Sequence, residues 1–335
     1  PGSGEEVSAC VAIGHCLLYE TTRPSFIETR MKSALKTLLR RLITLVLMIG
    51  PFAVPAEAET AQDRLWAAIN AQDATSLRIA IDQGADPNLA NNEGRVPLYR
   101  ALVLQNQLLI DTLLGEGANA NANDHRGDPL IIIAMSVGSA PATMALINAG
   151  ANPNARDTTG KSVLSYAVYL RQPEIVAALI AKGADVNAPS EAGDGGNPAP
   201  PIFMAMKAND LALVQQLIAA GANVNALDLQ GSTPLHRAVL ARPAEYATPL
   251  VTTLLRAGAD ANAMRPKGGA PLHNLVFGAD NLPPAALAQL ATLLAQHGAD
   301  VNLPAAFDGA TPLDIARAKN NQAAVQLLTS MGGVC

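Results

Sequence analysis

Gly221-Ala222-Asn223-Val224-Asn225, followed after a short polar link by Gly231-Ser232-Thr233-Pro234-Leu235-His236-Arg237-Ala238, is the stretch whose reading decides the fold. Its first half reads as a helix stop. A glycine takes the left-handed position after the last turn, and Asn tolerates the turn that follows. Its second half reads as a helix start, with Thr233 as N-cap and Pro234 at the first helical position, where a missing N–H costs nothing.

Working outward, the same stop of the form Gly-Ala-Asp/Asn-x-Asn begins at Gly84, Gly117, Gly150, Gly183, Gly221, Gly258 and Gly298, with Gly332 a degenerate eighth. The intervals are 33, 33, 33, 38, 37, 40 and 34 residues. A second column holds the same register: a Gly three residues before the first helical position, at Gly94, Gly127, Gly160, Gly231, Gly268 and Gly309. Four residues into each first helix an Ala recurs, at Ala101, Ala134, Ala167, Ala238 and Ala316, with Ala205 falling four after Pro201 and Leu275 the exception. A small residue there lets neighbouring helices approach closely, and such units are stable only when stacked. The register also moves one helix start from Pro129 to Leu130.

The period together with Thr-Pro-Leu-His-x-Ala resembles the ankyrin-repeat family over residues 61–335. The resemblance implies an all-α solenoid of about eight helix-turn-helix repeats with finger loops, ending near the eight stop glycines. In the first repeat, Leu65, Ala68 and Ile69 line one helix, and Leu77, Ile79 and Ala80 belong to the next. The second helices read as apolar runs, among them Leu108 to Leu114, Ile175 to Ile180 and Leu250 to Leu255. Three departures stand out. The finger loop before Pro201 is five residues longer than the one before Pro234, with the extra length in residues 189–200. Repeats six and seven carry four and seven extra residues between their paired helices, read as loop around 242–248 and 278–284. Insertions on one side of a solenoid often mark its working surface.

The N-terminal part reads differently. Lys32, Lys36, Arg40 and Arg41 follow Met31 as a basic region, Leu42 to Ile49 is apolar, and Ala56-Glu57-Ala58 offers small residues to a signal peptidase. Eight apolar residues fall far short of the roughly 20 that span a bilayer. The expectation is an upstream extension over 1–30, a signal peptide over 31–58 cleaved after Ala58, and a folded chain over 59–335, exported to the bacterial periplasm. If uncleaved, the segment would anchor the chain to the inner membrane. Of Cys10, Cys16 and Cys335 only the last survives cleavage, which suits an oxidising compartment. The formal charge is −5, and −6 after cleavage, with no basic patch of the kind nucleic-acid binding requires.

The sequence offers little chemistry. His236 and His273 occupy the same repeat position in adjacent units, and a metal-dependent protein or enzyme built on that pair is the alternative from another class. In ankyrin repeats this His bonds between units, and that is the expected role. Asp185, Asn187, Asp194 and Asn197 do not follow a calcium-loop spacing. Arg126-Gly127-Asp128 at a finger tip reads as a chance adhesion tripeptide. No nucleophile with a base, no paired carboxylates and no phosphate loop are recognisable, so no catalysis, metal or cofactor is expected.

The family resemblance implies a partner bound on the concave face made by fingers and first helices. Carried over by position, the row is Arg100, Ile133, Tyr166, Met204, Arg237, Asn274 and Ile315, with Tyr99, Tyr169, Phe203 and Lys207 nearby. Tyr and Arg are frequent interface anchors. The sequence reading is therefore a monomeric, exported scaffold that binds another protein, with no nucleic acid and no stable membrane insertion. An immunity or antitoxin-like inhibitor that occludes a secreted enzyme is the alternative within the binding class.

Overall fold

A computed structural model describes residues 59–192 and 196–334; the proposed leader over 1–58 lies outside the described residues. Among the described residues, sixteen α-helices follow one another in eight pairs. They are α1 (Ala61–Ala71) and α2 (Ala74–Asp82), α3 (Pro97–Val103) and α4 (Gln107–Gly115), α5 (Leu130–Ser136) and α6 (Ala140–Asn148), and α7 (Val163–Tyr169) and α8 (Pro173–Ala181). A hairpin of β1 (Ser190–Ala192) and β2 (Gly196–Ala199) intervenes. Then come α9 (Pro201–Lys207) and α10 (Leu211–Ala219), α11 (Pro234–Ala238) and α12 (Ala244–Arg256), α13 (Pro271–Phe277) and α14 (Pro284–Gln296), and α15 (Pro312–Ala318) and α16 (Gln322–Ser330).

The starts and stops are those the residues dictate. Thr233 caps α11 by accepting from the His236 N–H, and Pro234 opens the helix. Gly221 stops α10 at φ +90°, a conformation that costs an L side chain about 1–2 kcal/mol. Pro129 caps α5, which begins at Leu130. Thr60 with Asp63, and Thr311 with Asp314, form reciprocal capping boxes at α1 and α15.

First helices pack on the first helices of neighbouring repeats and second helices on second helices, so the core is one continuous layer between two rows. The alanine column decides how near the first helices come. Ala101, Ala134, Ala167, Ala205, Ala238 and Ala316 are all fully buried, as is Leu275 in the same column. The second helices add Leu109, Leu113, Leu146, Leu179, Leu217 and Leu254, all fully buried. Each such side chain contributes about 1.5–3 kcal/mol on leaving water. Ile79, grouped above with Leu77 and Ala80, is instead half exposed on α2, because it lies on the helix face turned away from the core.

A ladder of asparagines ties one repeat to the next. Asn154 Nδ2 donates to the Gly183 carbonyl at 3.0 Å, and the Asp185 N–H donates to Asn154 Oδ1 at 2.8 Å. Asn88, Asn121, Asn187, Asn225, Asn262 and Asn302 each donate in the same way to the glycine carbonyl of the following stop. A side-chain amide, with donor and acceptor in one plane, satisfies a carbonyl and an N–H at once, which Asp could not do. In the first repeat Gln62 takes the place of the ladder asparagine, pairing with both the N–H and the carbonyl of Asp86.

The three lengthened repeats resolve differently from one another. In repeat six the four extra residues are not loop: they lengthen the second helix from the usual nine residues to thirteen, so residues 244–248 are helical. In repeat seven α14 gains the same four residues, and the other three form a 3-10 turn at Ala279–Asn281. The reason is the helical period. Four residues add about one 3.6-residue turn and leave the apolar face in register. The long finger instead folds back as the antiparallel β1–β2 hairpin, with Ser190 opposite Ala199. The Ser162 N–H donates to Ser190 Oγ at 3.1 Å, and Arg156 Nη1 donates to the Pro189 carbonyl at 2.9 Å, so the hairpin base is fixed to the preceding finger.

Candidate functional site

The face formed by the fingers and the odd-numbered helices gathers the residues singled out above, but uses them unequally. Several are half-buried in the seams between repeats: Tyr99, Ile133, Phe203, Met204 and Ile315 pack against the core. Tyr99 meets His125 of the next finger edge-on at 5.9 Å, and Arg95 lies over its ring. Arg100 Nε donates to Asn70 Oδ1 at 3.3 Å. Arg237 is half exposed, yet donates through Nε to Asp228 Oδ2 at 2.8 Å and through Nη2 to Gln230 Oε1 at 2.6 Å, which braces its own finger. Asn274 is buried, and its Nδ2 donates to the His236 carbonyl at 3.3 Å. It serves the seam and is withdrawn from the surface.

What the face exposes lies elsewhere in the register. Tyr169 is 59% exposed at the end of α7, six residues after the helix start. The same position holds Val103, Leu240 and Phe277, all exposed, with Lys207 and Ser136 the polar members of the column. A second column runs along the finger tips, two residues before the finger glycine. It is polar at first, with Asn92, His125 and Thr158, and apolar later, with Leu229, Pro266 and Phe307. Leu229 and Phe307 are 63% and 81% exposed. Isolated exposed apolar side chains are ordinary; here they recur at two fixed positions of the repeat. Both columns were legible in the sequence, by counting six residues rather than three past each helix start and two before each finger glycine.

The densest constellation is around Tyr166. Its hydroxyl donates to Asp157 Oδ2 at 2.9 Å. Burial first, and the Asp157 carboxylate second, push its pKa up to about 12. Burial acts to raise the Asp157 pKa, but hydrogen bonds from Thr159, the Lys161 N–H and Tyr166 outweigh it and hold the carboxylate below its usual range. Lys161 Nζ lies 4.4 Å from the Tyr166 ring centroid and 4.8 Å from that of Tyr169.

The histidine pair is structural. His236 Nδ1 accepts the Thr233 N–H at 3.1 Å, and Nε2 lies 3.0 Å from the Gly269 carbonyl, which can only accept, so Nε2 carries the proton. His273 repeats the arrangement with the Ala270 N–H and the Ala310 carbonyl. Every ring nitrogen is engaged, and neither His offers a lone pair to a metal. The metal or enzyme alternative therefore does not hold at this pair. Among the described residues no group of three or more His, Cys, Asp or Glu could hold a metal ion.

The remaining candidates are likewise absorbed by the fold. Asp128 of the adhesion tripeptide accepts from both the N–H and the hydroxyl of Thr158, linking adjacent fingers. Asp185 closes a local turn by accepting the Asn187 N–H, and Asn187 belongs to the ladder. Asp194 lies outside the described residues. A shallow groove of about 390 Å³ on the first helix pair is lined by four alanines together with Arg64, Asp73, Ser76, Ile79 and Gln83; the Ser76–Asp73 contact in it is a helix N-cap. No helix among the described residues is long and apolar enough to cross a membrane.

Comparison with protein families agrees with this geometry. Residues 102–190 match the model for ankyrin repeats in three copies, and residues 202–248 match the model for ankyrin repeats in many copies. A comparison with curated proteins returned no match.

Proposed function

We propose, from the match of residues 102–190 and 202–248 to models for ankyrin repeats, that the chain is a non-catalytic scaffold that binds another protein on its finger and first-helix face. The carrying observation is the pair of exposed apolar columns, Tyr169 with Phe277 and Leu229 with Phe307, set on a rigid stack. Large, stiff aromatic side chains held by a preformed backbone bind at low entropic cost. The second-helix row is less suited. Arg78 and Glu116, and Arg171 and Asp210 at its helix-start end, pair with each other across repeats, and its exposed apolar residues Ile79 and Leu108 carry no aromatic ring.

We further propose that the scaffold acts as a monomer in the bacterial periplasm, delivered by the leader over 31–58 with cleavage after Ala58. The support is the order of basic, apolar and small-residue regions in that segment. Fractionation of the native host is expected to place a form beginning at Glu59 in the periplasm. Capture from that fraction is expected to recover a partner that is lost at least tenfold with Tyr169→Ala plus Phe277→Ala and kept with Arg256→Ala on the second-helix row. Equal recovery by all three proteins contradicts the assignment of the face, and a full-length cytoplasmic chain contradicts the export.

A further inference from the structure

We propose that the Lys161 ammonium is the receptor for a single carboxylate, an Asp or Glu side chain in an acidic segment of the protein partner. This rests on the reading that the finger and first-helix face binds protein, and it names what that face recognises at its centre.

Lys161 is only 8% exposed, which is far from the usual state of a lysine. Its ammonium is held between the faces of Tyr166 and Tyr169, whose negative ring surfaces attract it. Rings offset part of the desolvation, but they do not fill three N–H donors. Among the described residues the Lys161 ammonium enters no ion pair and lies over those two rings alone. Two acids of its own finger and the preceding one are already engaged. Asp157 Oδ1 accepts from Thr159 and from the Lys161 backbone N–H, and Asp157 Oδ2 accepts from Tyr166. Asp128 is committed to Thr158. A buried charge that pairs with no carboxylate among the described residues is an incomplete pair.

The site is open on one side. The fully enclosed, unpartnered polar atoms among the described residues belong to Arg95, Gln172, Tyr246 and Arg265, and the Lys161 ammonium is not one of them. Tyr169, 59% exposed, forms the outer wall. Its ring lies in the apolar column described above, so a partner seated on that column brings its side chains past the ammonium. Charge selects the ligand class. A phosphate dianion calls for several donors or an Arg fork, whereas the neighbouring Arg156 spends Nη1 on the Gly160 and Pro189 carbonyls. One ammonium between two flat rings matches one flat monoanion.

The test uses the intact protein and three probes followed by NMR at the Lys161 side-chain methylene groups and the Tyr169 ring: N-acetylglutamate N-methylamide, its glutamine counterpart and inorganic phosphate. The glutamate probe is expected to give saturable shifts at both residues with a millimolar midpoint. The glutamine probe should give none, and phosphate should bind at least tenfold more weakly. Lys161→Met keeps the aliphatic stem between the rings and is expected to abolish the response. Because the glutamine comparison is made on the unaltered protein, a misfolded variant does not spare the proposal. Absence of saturation with the glutamate probe, an equal response to glutamine, or tighter binding of phosphate overturns it. If the face still binds its partner in any of those cases, only the carboxylate assignment falls.

Discussion

Taking the pH from 7.5 down to 4.5 is expected to lower the unfolding free energy by between about 2 and 3 kcal/mol through a single side chain, His236. The ring is fully buried at the seam between repeats six and seven, neutral, with Nδ1 accepting from Thr233 and Nε2–H donating to the Gly269 carbonyl. Burial pushes its pKa down to about 4, against a weaker opposing pull from that carbonyl. In the unfolded chain the ring titrates near 6.5. Between those values the unfolded chain holds the proton and the folded chain does not. The stabilisation is therefore complete above pH 6.5, is lost as the pH falls toward 4, and changes no further below that. Burial shifts His273 in the same direction. The carboxylates whose pKa is lowered, such as Asp157, lose their contribution at lower pH, as they protonate. Urea unfolding at both pH values checks the expectation. His236→Gln should be less stable at pH 7.5 and show a distinctly flatter pH dependence; an unchanged slope in that variant would place the effect elsewhere.

Ala167→Leu is expected to cost about 3 kcal/mol, toward the upper end for overpacking, and to split a single unfolding transition into two. Ala167 is fully buried on α7, in the column that continues through Ala134 on α5 and Ala205 on α9. Three added carbons have nowhere to go without parting the first-helix row. In a stack where each unit touches only its neighbours, weakening one interface uncouples the halves on either side. Ser136→Leu, which adds a similar side chain at an exposed position on α5, is expected to leave the transition single. Calorimetry of both variants decides the matter. A single sharp transition for Ala167→Leu would mean the array is not held by near-contact of its first helices.

The architecture was legible because it is written once and repeated. The stop at Gly221, the start at Thr233-Pro234 and the buried Ala238 recur at a fixed spacing, and each repetition tests the last. The links between repeats were less legible. Asn154 and its counterparts read as turn residues, since an Asx turn is a local event, whereas their bonds to Gly183 and to the Asp185 N–H span about a whole repeat. The extra residues of repeat six read as loop around 242–248, whereas residues 244–248, and Pro249 after them, lie inside α12. Which residues of the fingers and first helices are exposed was legible only in part: Tyr169 was among those singled out, and Phe277 and Phe307 were not. Arg237 and Asn274 lie in the expected row and bond inward, while Phe277 and Phe307, which no motif marks, point outward. Whether a side chain bonds to its own finger depends on its neighbours across the seam, and a single sequence does not carry that. The Lys161 pocket is of the same kind: its two tyrosines are five and eight residues away, and only the turn into α7 brings both rings over one ammonium.

The central claim is that the finger and first-helix face, and not the second-helix row, carries the partner. Photocrosslinking in the native host tests it most directly, with a photoreactive residue placed singly at Tyr169, Phe277 and Phe307, and for comparison at Leu108, Glu174 and Arg256. Leu108 is as exposed and apolar as the first set, at 65%, but lies on α4 in the second-helix row. The account predicts one protein adduct common to the first three positions and none from the other three. Adducts from Leu108, Glu174 and Arg256, with none from Tyr169, Phe277 and Phe307, would contradict it.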